Sequence, residues 1–164
     1  MRGLVVESAG MLSTVQDLGR FGHRAEGVAQ CGAMDELALR VANLLAGNDD
    51  RAAAIEITFG GAAFRFESDC WIALCGADCN ADLDGARVPP WSGCFAPAES
   101  TLTLRRPRAD VRTILAIDGG IDVVPVLGSR STDIAAGFGG FDGRALVHGD
   151  RIPVGRPSGM RYTD

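Results

Sequence analysis

Two short segments concentrate the side chains able to bind or transform a small polar molecule. The first is Thr14-Val15-Gln16-Asp17-Leu18-Gly19-Arg20-Phe21-Gly22. The second is Gly128-Ser129-Arg130-Ser131-Thr132-Asp133, more than a hundred residues later. Each sets an arginine, an acid and hydroxyl or amide groups beside glycine. Guanidinium forks and backbone N–H groups grip carboxylate, amide and phosphate groups. A loop that only turns the chain has no need of that inventory.

Asp17 and Arg20 are the candidate catalytic residues, and Gln16, Asp35, Ser129, Arg130 and Ser131 the candidate substrate-binding ones. Each has a plainer reading. Arg20 and Arg130 either meet a planar carboxylate or amide, or staple their own loops with Asp17 and Asp133. Asp17 orients Arg20, acts as a base, or caps a turn through its side chain. Gln16 presents a donor and an acceptor to an amide, or bonds loop backbone. Ser129 and Ser131 flank Arg130 and face one side, opposite the arginine. No histidine or lysine in sequence activates them, so they are donors rather than nucleophiles. Asp35 stabilises a helix start, while Gly32 before it argues for a close backbone approach there. Glu56 alternates with Ile55 and Ile57, so it faces solvent or a cavity.

Composition removes several function classes. Of the 164 residues, 46% are apolar and 23% charged, the range of one globular domain. A formal charge of −5 argues against nucleic acid as the main partner. The densest basic run, Leu104-Arg105-Arg106-Pro107-Arg108, reads as a solvated strand end and turn. All 16 cationic residues are arginine, so no catalytic lysine exists in the chain. No apolar run approaches the ~20 residues of a membrane span, and no signal core is visible, so a cytoplasmic location is expected. The cysteines, at 31, 70, 75, 79 and 94, are odd in number and lack paired CxxC spacing, which points to packed thiols and no metal site. No Walker loop or dinucleotide fingerprint is present.

The elements that position these residues are mainly β. Met34, Leu37, Ala38, Val41, Leu44 and Leu45 recur at spacings of three and four, which predicts one amphipathic helix over about 34–46 with that stripe inward. Strands are predicted at Leu4–Glu7, Ala54–Thr58, Ala63–Glu67, Cys70–Cys75, Thr101–Leu104, Val111–Ile117 and Arg144–Val147. Residues 16–30 read as an extended loop, as does most of the glycine-dense stretch after Asp118. Short strands between Gly and Pro turns indicate a barrel or sandwich.

The first segment, then Gly32-Ala33-Met34-Asp35, Gly47-Asn48 and Ile55-Glu56-Ile57-Thr58, resembles the start of the allophanate hydrolase subunit 2 (KipA) family. Gly119-Gly120-Ile121-Asp122, Pro125 to Thr132, Gly139-Gly140, Gly143-Arg144 and Gly149-Asp150 continue the pattern in order. Cys31 departs from it, standing where serine is usual. The family includes the C subunit of ATP-dependent 5-oxoprolinase and part of the carboxyltransferase region of urea carboxylase. The resemblance implies a cyclophilin-like β-barrel with one helix. It implies an N-terminal lobe over 1–152, with 153–164 a tail or the truncated start of a second lobe. It further implies a protein that is inactive alone. Its site would be shared with an allophanate hydrolase subunit 1 (KipI-like) partner, and a protein like the A subunit of 5-oxoprolinase would join them. The expected reaction is ATP-dependent opening of 5-oxoproline to glutamate, an amide (lactam) hydrolysis. The alternatives are a KipA-like regulator that binds a kinase inhibitor, or carboxyl transfer to urea with biotin carried by another chain.

Overall fold

A computed structural model describes residues 2–157. The chain runs through β1 (Gly3–Ala9), β2 (Leu12–Gln16), α1 (Glu36–Leu45), β3 (Ala54–Thr58), β4 (Ala62–Phe66) and β5 (Cys70–Gly76). It continues with β6 (Asp82–Leu83), β7 (Ala86–Arg87), β8 (Ser92–Ala96), β9 (Thr101–Thr103), β10 (Arg112–Ile117) and β11 (Arg151–Pro153). The mainly β reading with one α-helix holds. The strands form two antiparallel sheets rather than one closed ring, ordered β11-β1-β4-β9-β6-β7 and β2-β3-β10-β5-β8.

Period-2 alternation explains the layers. Leu4, Val6, Phe64, Phe66 and Leu102 of the first sheet meet Val15, Ile55, Ile57, Ile72, Leu74, Leu115 and Ile117 of the second in one core. The second sheet's other face carries Ala54, Ala73, Cys75, Ile114 and Ala116, against which α1 lays Ala38, Leu39 and Ala42. These small sheet residues let the helix approach closely.

That packing corrects the phase of the helix. Met34, Leu37, Leu44 and Leu45 are exposed, and of the predicted stripe only Ala38 is fully buried. Periodicity alone favoured the larger side chains. The alanine-lined sheet instead accepts the narrower face.

Other boundaries also move. Gln16 belongs to β2, paired with Ala54 of β3, so the first polar segment begins as strand and becomes loop only at Asp17. The predicted strand at 144–147 is irregular backbone leading into a turn at 147–150, where the Asp150 carboxylate accepts from the Val147 N–H and the Arg144 guanidinium. The last strand is β11, paired with β1. Residues 153–155 are not a loose tail. Pro153 pairs with Gly3, Val154 bridges Ile121, and the Gly155 N–H donates to Gly120 O. The rest of the 153–164 expectation, from 158 onward, lies outside the described residues. No helix among the described residues is long and apolar enough to cross a membrane.

Candidate functional site

The two polar segments meet. Thr132 donates its backbone N–H and its hydroxyl to Val15 O, which lays the second segment along the end of β2. The loop after β2 closes on itself where Arg20 N–H donates to Gln30 O and Ala33 N–H to Asp17 O. Glycine is required at that neck. A Cβ on Gly19 would lie 2.6 Å from Gln30 O, one on Gly32 2.9 Å from the Leu18 carbonyl, and both have φ near +90°.

Asp17 is the hub. Its Oδ1 accepts from Gly19 N–H at 2.7 Å, Ser129 Oγ at 2.7 Å and Ser131 Oγ at 2.6 Å. Its Oδ2 accepts from Arg130 N–H at 2.5 Å. The hydroxyls are used twice, since Ser131 Oγ accepts from Asp17 N–H and Ser129 Oγ from Ser131 N–H. Burial alone would raise the Asp17 carboxyl. The bonds from Ser131, Ser129 and the Arg130 and Gly19 N–H groups outweigh burial and hold it below the ordinary carboxylate range. Such a group clamps two segments together and is a weak proton acceptor at neutral pH.

Ser129 and Ser131 share one side, as their spacing predicts, but both are buried and bonded to Asp17. In this structure their hydroxyls donate to Asp17. Arg130 points away from them. Its Nε donates to Val123 O and its Nη2 reaches Asp122, so it staples the 122–123 segment. Asp35 caps α1 by accepting from Ala38 N–H at 2.9 Å, the plainer of its two readings. Glu56 does not face solvent. It is buried and accepts from Met34 N–H, tying the start of the helix to β3. Burial pushes its carboxyl up, against that N–H and Arg112.

Arg20 is the unusual member. It is only 1% exposed, the largest fully buried side chain among the described residues. Nη2 donates to Ser131 O, and the guanidinium lies 4.7 Å from the centre of the Phe138 ring. Nε and Nη1 have no hydrogen-bond partner, and neither does Gln16 Oε1. Gln16 Nε2 donates to Thr14 Oγ1 and Thr132 O. Most buried polar groups are paired, so unpaired donors and an unpaired acceptor in neighbouring elements are exceptional.

Residues 26–164 match the family model described as the carboxyltransferase domain, subdomain A and B. The chain belongs to the carboxyltransferase-domain family. The resemblance read from the ordered motifs therefore holds. The chain is 52% identical over 155 residues to the C subunit of 5-oxoprolinase from Escherichia coli K12, covering 93% of this chain and 49% of that protein. It is 39% identical over 140 residues to the Haemophilus influenzae C subunit, covering 85% and 45%. The structure of the Kluyveromyces lactis urea amidolyase matches with a TM-score of 0.90 at 34% identity, over 94% of this chain and 9% of that one. The chain spans about half the length of the 5-oxoprolinase C subunits it matches.

Within this carboxyltransferase-domain chain, three neighbours of Arg20 escaped sequence reasoning. Phe138 stacks on it, and Gly139 (φ +71°) leaves the space through which Arg20 reaches Ser131 O. Cys31 lies near both Arg20 and Asp133. Burial pushes its thiol up, Asp133 adds to that through its charge and a hydrogen bond, and Arg20 opposes it through its charge and a weak hydrogen bond to the sulfur. The signal available was Gly137-Phe138-Gly139-Gly140, an aromatic among glycines with no role of its own in a turn. Among the described residues, no group of three His, Cys, Asp or Glu is placed to hold a metal ion. Cys70 and Cys75 face opposite sides of β5, one toward each core cluster.

Proposed function

We propose that this chain is the N-terminal lobe of a 5-oxoprolinase C subunit, with β11 and residues 154–155 part of that lobe. With a subunit 1-like partner and a protein like the 5-oxoprolinase A subunit, it opens 5-oxoproline to glutamate, driven by ATP. The identity to the E. coli protein supports the reaction class. The buried, half-used guanidinium of Arg20 and the unpaired Gln16 Oε1, whose side chains bond the successive carbonyls of Ser131 and Thr132, carry the reading of the site. A lactam presents a carbonyl oxygen and an N–H side by side, which call for N–H donors and one acceptor. In this reading Arg20 and Gln16 meet the substrate. Asp17, Ser129 and Ser131 hold their segments in register, and Arg130 sets the 122–123 edge. A partner protein completes the pocket wall.

ATP does not fit the loops around Asp17. The N–H groups of Gly19 and Arg130, which a phosphate would need, already donate to the Asp17 carboxylate. No step through ATP is assigned to these residues.

The urea amidolyases that match the same region favour a second reading, carboxyl transfer to urea. The chain has no lysine to carry biotin, so the cofactor would arrive on another polypeptide. A ureido group has the same carbonyl and N–H pattern as a lactam, so Arg20 and Gln16 fit it as well. Biotin would supply the activated carboxyl group, and this chain would bind and orient.

Co-expression with both partner proteins, in the full-length context, tests the first reading by ATP-dependent glutamate release. Activity is expected with the complete set present and lost in Arg20→Ala. No release from the complete set would overturn the proposal, and urea-dependent turnover with a biotinylated partner would favour the second reading.

A further inference from the structure

A second polar recess lies at the far end of the second sheet. In the β2–β3 pair, Gln16 stands opposite Ala54 and Leu12 opposite Thr58. The Arg20 site is at the Ala54 end. The recess is beyond the Thr58 end, where Gly60 packs on the Arg105 carbonyl. Four residues of strand separate the two ends, about 13 Å.

The recess has a volume of about 470 Å³ and is walled by Arg87, Arg105, Arg106 and Arg108, with Asp78 and Asp110 the opposing charges. That volume suits a small-molecule ligand. With Asp82, which pairs with Arg105, four cations face three anions, a net positive patch on a chain whose net charge is −5.

The four arginines are not equivalent. Arg87 donates to both carboxylate oxygens of Asp78 and to Asn80 Oδ1. Arg105 donates to Asn80 O and Asp82. These two are fixed and their charges matched. Arg106 and Arg108, either side of Pro107, make no side-chain hydrogen bond or ion pair among the described residues, although both line the recess. Two unbonded guanidinium forks beside a charge-paired floor, with Asp110 the one unpaired acid of the recess among the described residues, form a grip for oxyanions. Guanidinium binds phosphate oxygens in pairs, and two forks call for two such groups.

We propose that this recess binds a small molecule carrying two or more phosphate groups, held by Arg106 and Arg108. It is a site separate from Gln16 and Arg20 and stands independently of the lactam reading. The basic run that reads in sequence as a solvated turn thus acquires a role.

Isothermal titration of the chain with inorganic tripolyphosphate, pyrophosphate and sulfate tests it. Saturable one-to-one binding is expected for tripolyphosphate, stronger than for pyrophosphate and much stronger than for sulfate. The Arg106→Glu/Arg108→Glu variant should weaken tripolyphosphate about a hundredfold, since each of the two lost charge-assisted contacts is worth about a factor of ten. Both residues lie in a loop and their side chains hold no structural bonds, so thermal unfolding of the variant should match the parent. Arg24→Ala, at the loop after β2, should leave binding unchanged. No saturation by tripolyphosphate, or equal affinity in the double variant, would overturn the proposal, as would an equal loss in Arg24→Ala.

Discussion

Asp17→Asn isolates the hub of the candidate site. The amide keeps the shape of the carboxylate but carries only one acceptor oxygen. With that oxygen toward Gly19 N–H, Ser129 Oγ and Ser131 Oγ, the NH2 group faces the Arg130 N–H, which now sits 2.5 Å from the Oδ2 position. One backbone donor is then orphaned against another donor, a loss of roughly 1–3 kcal/mol. The remaining three bonds lose their ionic partner. The hydroxyls can turn elsewhere, so this adds about 1 kcal/mol and the total is about 2–4 kcal/mol. For a chain of this size that corresponds to a fall in Tm of about 4–16 °C. Urea unfolding at pH 7 should show the lower midpoint with an unchanged slope. The sign of the pH dependence follows from the lowered carboxyl. The stability that Asp17 contributes is complete above its unfolded value, about 4, and is lost as pH falls through the lower folded value. The gap between parent and variant should therefore be flat at neutral pH and close only in acid. A cost below about 0.5 kcal/mol at pH 7 would refute the hub, because that is the range of a surface change. So would a gap that persists undiminished at the acid limit.

Two further outcomes check the packing and the thiols. Leu39→Ala, buried between α1 and the second sheet, should cost about 2–5 kcal/mol in chemical denaturation. Leu37→Ala, on the exposed face, should change stability by less than about 0.5 kcal/mol, and the reverse order would show that α1 is rotated. Burial pushes Cys70 and Cys75 up to about 12, with Asp118 and Asp35 adding to it respectively. Iodoacetamide at pH 8 should leave both unlabelled until denaturant is added, as followed by mass spectrometry of the peptides.

Much of the candidate site was legible as residue types but not as roles. Gln16, Asp17, Arg20, Ser129 and Ser131 do converge, because a strand end and a glycine-rich segment more than a hundred residues away share a backbone pairing at Val15 and Thr132. The sequence could not say which polar groups satisfy one another. Asp17 takes up both serines, Arg130 turns to Val123, and Arg20 keeps buried donors without oxygen partners. Arg106 and Arg108 likewise look like any exposed pair until the fold builds a recess around them.

By itself the sequence determined the β class, the single helix, and family membership. Alternation, three-and-four spacing and glycine-marked turns are local signals, and the ordered motifs run through nearly the whole chain. The tertiary structure decided which face of α1 is buried, since alanines on the opposing sheet make the narrow side fit. It decided where the last strand pairs, since Gly3–Val5 offers an edge to 151–153. It also decided which arginine is buried with donors to spare. Burial and hydrogen-bond satisfaction depend on groups far apart in the chain, and no local pattern encodes them.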